Sequence, residues 1–307
     1  PKEIDCSTAL DNERSLIVEE GVLVPRTAKD VLTSVFKYHN PVRMSPGKRT
    51  EWSKGLEIKE LPMVGKTDVL YFVGCLPSYD ARSQETARSI AEVFRRMNVD
   101  FAILGNEEWC CGDHILRLGE KGLFEMLAEH NASLFEKYSF DRIVTISPHC
   151  YHAFKNDKPY TDIGLNVQHY TQFLSEAVKN GRLKPTRAVE KRVTYHDPCF
   201  LGKRSNIYDE PRKILKSIPG LELLEMGRTR ENSFCCGGGA GRVWTEEATP
   251  EKRPCVNRAK EALELGVEVI ATACPFCVTT LEDAVKVLDA EGKIVVRDVS
   301  ELVREAL

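Results

Sequence analysis

Short unbroken apolar runs alternate along this chain with amphipathic stretches, and the alternation occurs twice. Asp68-Val69-Leu70-Tyr71-Phe72-Val73 reads as a buried strand, followed by a helix over Thr86–Met97 and a strand over Phe101–Leu104. A helix over Leu123–Tyr138 and a strand over Arg142–Ile146 complete the first round. The second round has strands at Val193–His196, Leu221–Leu224, Val267–Thr272 and Ile294–Val296. Its helices fall at Pro211–Ser217, Pro254–Leu265 and Thr279–Leu288. Strands that are apolar throughout and separated by helices predict an α/β fold, with parallel sheets covered on both faces. The opening stretch has a different pattern. Helices are expected through Glu13–Leu23, closed by Gly21 and Pro25, and over Thr27–Tyr38, with Val31, Leu32, Val35 and Phe36 on one face. A loop rich in proline and glycine then runs from His39 to Trp52. Three units are expected: a helical arm over 1–65, a repeat over 66–185 and a second over 190–307, joined near Asn180–Glu190.

The cysteines follow the same repeat. The first set is Cys75, Cys110-Cys111 and Cys150; the second is Cys199, Cys235-Cys236, Cys274 and Cys277. The offset between them is 124 residues at the leading cysteine, 125 at both doublet positions and 127 at the last. Spacing this constant means one ancestral unit written twice. Each cysteine falls at or just past the end of a predicted strand, where parallel sheets collect their ligands. Ser147 stands where the second set has Cys274, so the first set has four thiols and the second five.

Composition limits the chemistry. The 307 residues are 42% hydrophobic, which suits a folded globular chain. A formal net charge of −3 argues against nucleic acid as the main partner. No apolar run reaches the length of a membrane helix and no signal peptide opens the sequence, so a cytoplasmic protein is expected, with membrane contact only through partners on the inner face. In that compartment eleven cysteines read as metal ligands or catalytic thiols rather than disulfides. The start at Pro1, without methionine, suggests a fragment of a longer chain, because a Cys-Pro step commonly closes a ferredoxin-type cluster run.

Thiolate clusters select zinc, copper(I) or iron–sulfur centres. A closed zinc tetrahedron needs four ligands, and the second set offers five. An ordinary cubane takes four thiolates, usually three from one compact run, whereas these cysteines come from three strand ends. A thiol relay would use Cys274-Pro275-Phe276-Cys277 alone and leave three cysteines unexplained. By spacing, the second set is a thiolate-rich metal site.

The doublet with its glycine, Cys235-Cys236-Gly237, together with HDPCFLGKR, CCGGGAG and CPFC, resembles the cysteine-rich CCG domain. That domain occurs twice in the B-type and D-type heterodisulfide reductase polypeptides and in related redox proteins. The resemblance covers residues 68 to 307. It implies two tandem Rossmann-like CCG domains with pseudo-twofold symmetry behind the helical arm. It also implies a non-cubane [4Fe–4S] cluster held by Cys199, Cys235, Cys236, Cys274 and Cys277. A second iron–sulfur cluster is expected at Cys75, Cys110, Cys111 and Cys150, with Ser147, His149 or His152 as a further oxygen or nitrogen ligand; a degenerate, empty first nest is the alternative. The expected function is that of an iron–sulfur oxidoreductase component, reversibly cleaving a disulfide to thiols at the second cluster. The alternative is an electron-transfer or quinone-linked component of a membrane-associated dehydrogenase. The implied partners are a ferredoxin-like cluster protein, a membrane cytochrome or quinone-binding protein, and a disulfide or thiol substrate. SLIVEEGVL, Asn40-Pro41 and Trp52 carry a weaker likeness to the stretch after the ferredoxin-like clusters of the D-type heterodisulfide reductase polypeptides.

Other residues are candidates on chemistry alone. Gly237, Gly238 and Gly239 can bring backbone N–H groups close to a cluster, with a plain tight turn as the alternative. His196, three residues before Cys199, can supply a proton to a leaving thiolate or serve structurally; His114 is a weaker candidate of the same kind. Lys203 and Arg204 can steer an anionic substrate or form a solvated surface pair. Cys255 reads as a small buried apolar residue, and Cys6 has no assignable role.

Overall fold

The computed structural model describes residues 6–21, 25–245 and 249–307. It contains two parallel sheets. The first has the order β1-β3-β2-β4-β5, formed by Lys59–Glu60 (β1), Val69–Phe72 (β2), Phe101–Ile103 (β3), Arg142–Thr145 (β4) and Val167–His169 (β5). The second has the order β7-β6-β8-β9, formed by Lys191–Tyr195 (β6), Leu221–Leu223 (β7), Val269–Thr272 (β8) and Val295–Asp298 (β9). Apart from the added edge strand β1, which lies within the stretch expected as arm, the two orders are the same. The α/β class and the duplicated parallel sheets follow the expectation.

The central strands form because their side chains are apolar on both faces. Leu70, Tyr71 and Phe72 are fully buried, and burial stabilises each by about 1.5–3 kcal/mol. Phe72 meets Phe154 edge-on at 4.8 Å, tying β2 to the helix Pro148–Asn156 behind it. The arm helix Arg26–Tyr38 buries Val31 and Val35 as expected, but Phe36 is 65% exposed; Ala28 and Ser34 complete the buried face, so the helix is turned from the expected stripe. The first arm helix is Cys6–Glu19, earlier than the expected one, whose last residues lie outside the described part.

Among the elements of the first repeat that the sequence reading does not contain are β5 and the helix Tyr170–Lys179 that follows it. The strand is only three residues long, and Gln168 interrupts its apolar pattern. The helix Val299–Glu305, the counterpart in the second repeat, was also unread; it packs against the first repeat's helix Ala81–Arg96. Tyr170 donates a 2.7 Å hydrogen bond to Asp298, which joins the ends of the two repeats. Among the described residues no helix is long and apolar enough to cross a membrane.

Candidate metal centre

Both cysteine sets assemble beyond the carboxyl ends of the strands. In the second repeat, Cys199 sits in the turn after β6, and the doublet lies in the extended loop after β7. Cys274 is the N-cap of the helix Pro275–Val287, which begins four residues earlier than expected because Pro275 suits its first position. Cys277 therefore lies in the first helical turn. Cys236 and Cys277 sulfurs are 3.3 Å apart, and those of Cys235 and Cys199 are 3.8 Å apart. Gly237 N–H donates to Cys235 Sγ at 3.3 Å and Gly238 N–H to Cys236 Sγ at 3.4 Å. Gly237 has φ +80°, a left-handed turn that a side chain would strain. Gly239 plays another part: a Cβ there would meet His149 Cε1 at 3.3 Å, so its smallness serves contact with the first repeat.

The electrostatics of this nest are divided. Hydrogen bonds from Cys199 and Cys236, helped by the Gly237 N–H, hold the Cys235 thiol far below its ordinary value. Burial pushes Cys274 up, but Cys277, His149 and the amides at the helix start outweigh it and leave it lowered. Cys199, Cys236 and Cys277 are raised, chiefly because each donates to a neighbouring sulfur. The same helix start that favours a thiolate at Cys274 also disposes it to bind a cation.

The first nest brings Cys75, Cys110, Cys111 and Cys150 together, all buried. They line a small cavity of about 30 Å³ together with Trp244 and Phe276. Ser147 lines it too, but its Oγ accepts the His149 N–H at 3.2 Å and caps the helix Pro148–Asn156. His152 does not line this cavity; its Nδ1 pairs with Asn156 at 3.1 Å. His149 Nδ1 is held by Asp113 at 2.7 Å, and Asp113 is bound in turn by Arg117 at 3.4 Å. Asp113, His114 and His149 bring ligand-capable atoms within 4.8 Å of one another. The Nδ1 atoms of both histidines are engaged, that of His149 by Asp113 and that of His114 by the Gly241 N–H.

Several supporting residues went unnoticed in the sequence. Arg49, from the arm, forms a buried ion pair with Glu108 at 2.6 Å and reaches Cys75 Sγ at 3.7 Å. Glu108 also accepts the N–H groups of Val73 and Gly74, fixing the turn that carries Cys75. In the second repeat Asp197 and Arg212, at positions unrelated to Glu108 and Arg49, form another buried pair at 2.7 Å near Cys199. Arg258, fully buried in mid-helix, donates to His196 Nδ1 at 3.2 Å. Burial lowers the His196 pKa to about 4, so the ring is neutral near pH 7. Of the steering pair, Lys203 is exposed, whereas Arg204 pairs with Asp11 at 3.5 Å and stacks on Phe200 at 4.6 Å; the arm occupies it. Cys255 is 2% exposed, in keeping with its apolar reading.

Five neighbouring sulfurs, three of them buried, beside an unpartnered histidine nitrogen and two sulfur-directed amides, suit a thiolate-ligated metal cluster better than a disulfide scaffold. The cysteine-rich domain model, CCG, matches residues 69–155 and 193–282, and the chain belongs to this family. It is 41% identical over 305 residues to the probable iron-sulfur-binding oxidoreductase FadF of Bacillus subtilis, covering 97% of this chain and 43% of that protein. It is 34% identical over 309 residues to the EtfAB:quinone oxidoreductase of Syntrophomonas wolfei, again covering 97% and 43%. The D-type polypeptide of the dihydromethanophenazine:CoB–CoM heterodisulfide reductase of Methanosarcina barkeri is 34% identical over 281 residues, covering 89% and 66%. The chain thus spans less than half the length of the first two. Among solved structures, an aspartate racemase homologue from Pyrococcus horikoshii covers 78% of the chain and 96% of its own at 11% identity and a TM-score of 0.34, a likeness too low to bear on function.

Proposed function

We propose that this chain is the cluster-bearing part of an iron–sulfur oxidoreductase, with a buried relay site at the first nest and an exchange site at the second. The observation that carries this reading is the difference in access. All four sulfurs of the first nest are buried, whereas Cys199 and Cys235 of the second are half-buried. The second nest reaches a cleft of about 530 Å³ at Cys236 and Gly237, a size that suits a small molecule. Bound iron–sulfur clusters supply one-electron acceptance and donation. The chain's residues would contribute the rest: nine thiolates as ligands, Gly237 and Gly238 as donors to sulfur, and Asp197–Arg212 and Arg49–Glu108 as fixed supports.

The reading favoured first is electron transfer within a quinone-linked dehydrogenase complex. It is supported by relatives with iron–sulfur and quinone oxidoreductase names whose match takes in 97% of the chain, arm included. The arm takes part in the first nest through Arg49, so its inclusion matters. The second reading is disulfide–thiol chemistry, in which a disulfide, two electrons and two protons give two thiols. It is favoured by the full set of five cysteines and by the cleft beside Cys236, where Arg242 and Arg253 bring positive charge that suits an anionic thiol.

The deciding experiment is anaerobic purification with iron and sulfide analysis, followed by EPR. Rapid reoxidation of the reduced protein by a quinone analogue, with spectra unchanged by thiols, is the expected result. A paramagnetic species that forms only when thiol is added to the oxidised protein would overturn the first reading in favour of the second. A colourless, iron-free protein that stays so after reconstitution would remove both.

A further inference from the structure

His114 and His196 belong to different repeats, and both are buried, at 6% and 0% exposure. Each has one ring nitrogen already engaged as an acceptor. Gly241 N–H donates to His114 Nδ1 at 3.1 Å. Arg258 Nε–H donates to His196 Nδ1 at 3.2 Å, and a guanidinium has no acceptor to offer in return. A nitrogen that accepts a hydrogen bond carries no proton, so each neutral ring carries its proton on Nε2. Both Nε2 atoms are enclosed and have no partner. An enclosed N–H without an acceptor is rare in a folded protein and calls for an explanation.

The surroundings supply one. His114 lines the cavity shared by Cys75, Cys110, Cys111 and Cys150. His196 brings a ring nitrogen within 4.8 Å of the Cys236 and Cys277 sulfurs. We propose that His114 and His196 are hydrogen-bond donors, through Nε2–H, to the sulfur of the group each nest holds, and that Gly241 and Arg258 are positioning residues that fix this tautomer. The inference rests on the iron–sulfur occupancy proposed above. Neither histidine is then a metal ligand, because coordination needs a bare nitrogen. A donor to sulfur stabilises the more negative, reduced state and raises the reduction potential. This role differs from the proton donation expected of His196 in the sequence.

The two positioning groups are not alike. Arg258 comes from the helix Pro254–Glu264 of the same repeat as His196. Gly241 follows the second doublet, yet it holds a histidine of the first repeat. At φ +79°, with the Leu118 side chain filling the place where a Cβ would stand, this position admits glycine alone. The loop that presents Cys235 and Cys236 to one nest therefore also orients the donor of the other.

The test uses the cluster-loaded protein labelled with ¹⁵N-histidine and read by pulsed EPR in H₂O and D₂O. A weak nitrogen coupling with an exchangeable proton at the paramagnetic centre is expected. A coupling of ligand strength, or none from histidine, overturns the proposal without any variant being made. His196→Leu and Arg258→Met are each expected to shift the one-electron equilibrium tenfold toward the oxidised state, about 59 mV. His196→Gln, which keeps an N–H, is expected to recover part of that shift. Iron and sulfide content of every sample separates two failures. A wild-type protein without iron–sulfur removes the occupancy on which the inference rests; a loaded His196→Leu protein with the wild-type potential removes the hydrogen bond alone.

Discussion

Ser147 and Cys274 occupy the same place in the two repeats, each as the N-cap of the helix that carries its nest's last cysteine. Ser147 accepts the His149 N–H and caps its helix; Cys274 makes no cap hydrogen bond of normal geometry, although the amides at its helix start still lower its pKa. The difference extends to the charge state. In the first nest all four thiols are raised, Cys75 and Cys110 chiefly by hydrogen bonds between neighbouring sulfurs, Cys150 by burial and like charges that outweigh the bond from Cys111. In the second nest two of the five are lowered. One oxygen-for-sulfur change thus accompanies a site with four buried thiols, while its twin keeps a fifth thiol and leaves two of its cysteines half-buried.

The largest expected effect comes from making the second nest resemble the first. Cys274→Ser should cap its helix and empty or convert the second centre, with loss of the iron and the EPR signal that belong to it. Full iron content and an unchanged spectrum in that variant would dissolve the contrast between the nests. The next effect is on stability. Removing one partner of a buried ion pair leaves the other charged and alone, at a cost of about 3–5 kcal/mol. Arg49→Met, which strands Glu108, should lower the denaturation midpoint accordingly and release iron from the first centre before the second. Arg212→Met, which strands Asp197, should reverse that order of release. Identical release from both centres in both variants would show that the supports are not local.

Ser147→Ala tests the cap itself. Loss of an N-cap costs about 0.5–2 kcal/mol. Iron in the first nest should be retained, since the oxygen serves the helix. Iron loss together with a change in the first centre's spectrum would mean that Ser147 is a ligand after all.

The sequence revealed the architecture and the gathering of cysteines because both are periodic. Apolar runs mark β2, β4, β6 and β8, and a repeated Cys-Cys-Gly marks the doublets. It could not reveal Arg49, Glu108 or Arg258, because an isolated charged residue in a loop or helix looks solvated until the fold buries it. The exchange between repeats was hidden for the same reason: nothing local in Gly241 points to His114, 127 residues earlier. The helix starts at Pro148 and Pro275 were legible in principle, since proline commonly opens a helix, but the cysteines next to them read more strongly as loop ligands.

The smallest effect lies where the repeats meet. His169 and Asp298 are counterparts that end β5 and β9, and each caps the helix that follows. Burial lowers the His169 pKa to about 3, so the unfolded chain takes up a proton below pH 6.5 that the folded protein refuses; stability from this group is lost as pH falls from 6.5 toward 3. Burial, with Glu301 nearby, raises Asp298 to about 7 despite the bonds from Ser300 and Tyr170. The folded protein then keeps a proton that the unfolded chain releases above 3.8, and stability is lost as pH rises from 3.8 to about 7. The two slopes oppose one another over most of this range, so together they leave the wild-type profile shallow. Asp298→Asn should leave the His169 slope alone, with Tm climbing relative to wild type as pH rises from about 4 to 6.5. His169→Asn, which can still cap, should produce the opposite relative slope. Thermal melts across that range decide the matter, and parallel profiles for the two variants would show that the paired caps do not titrate as the repeat comparison requires.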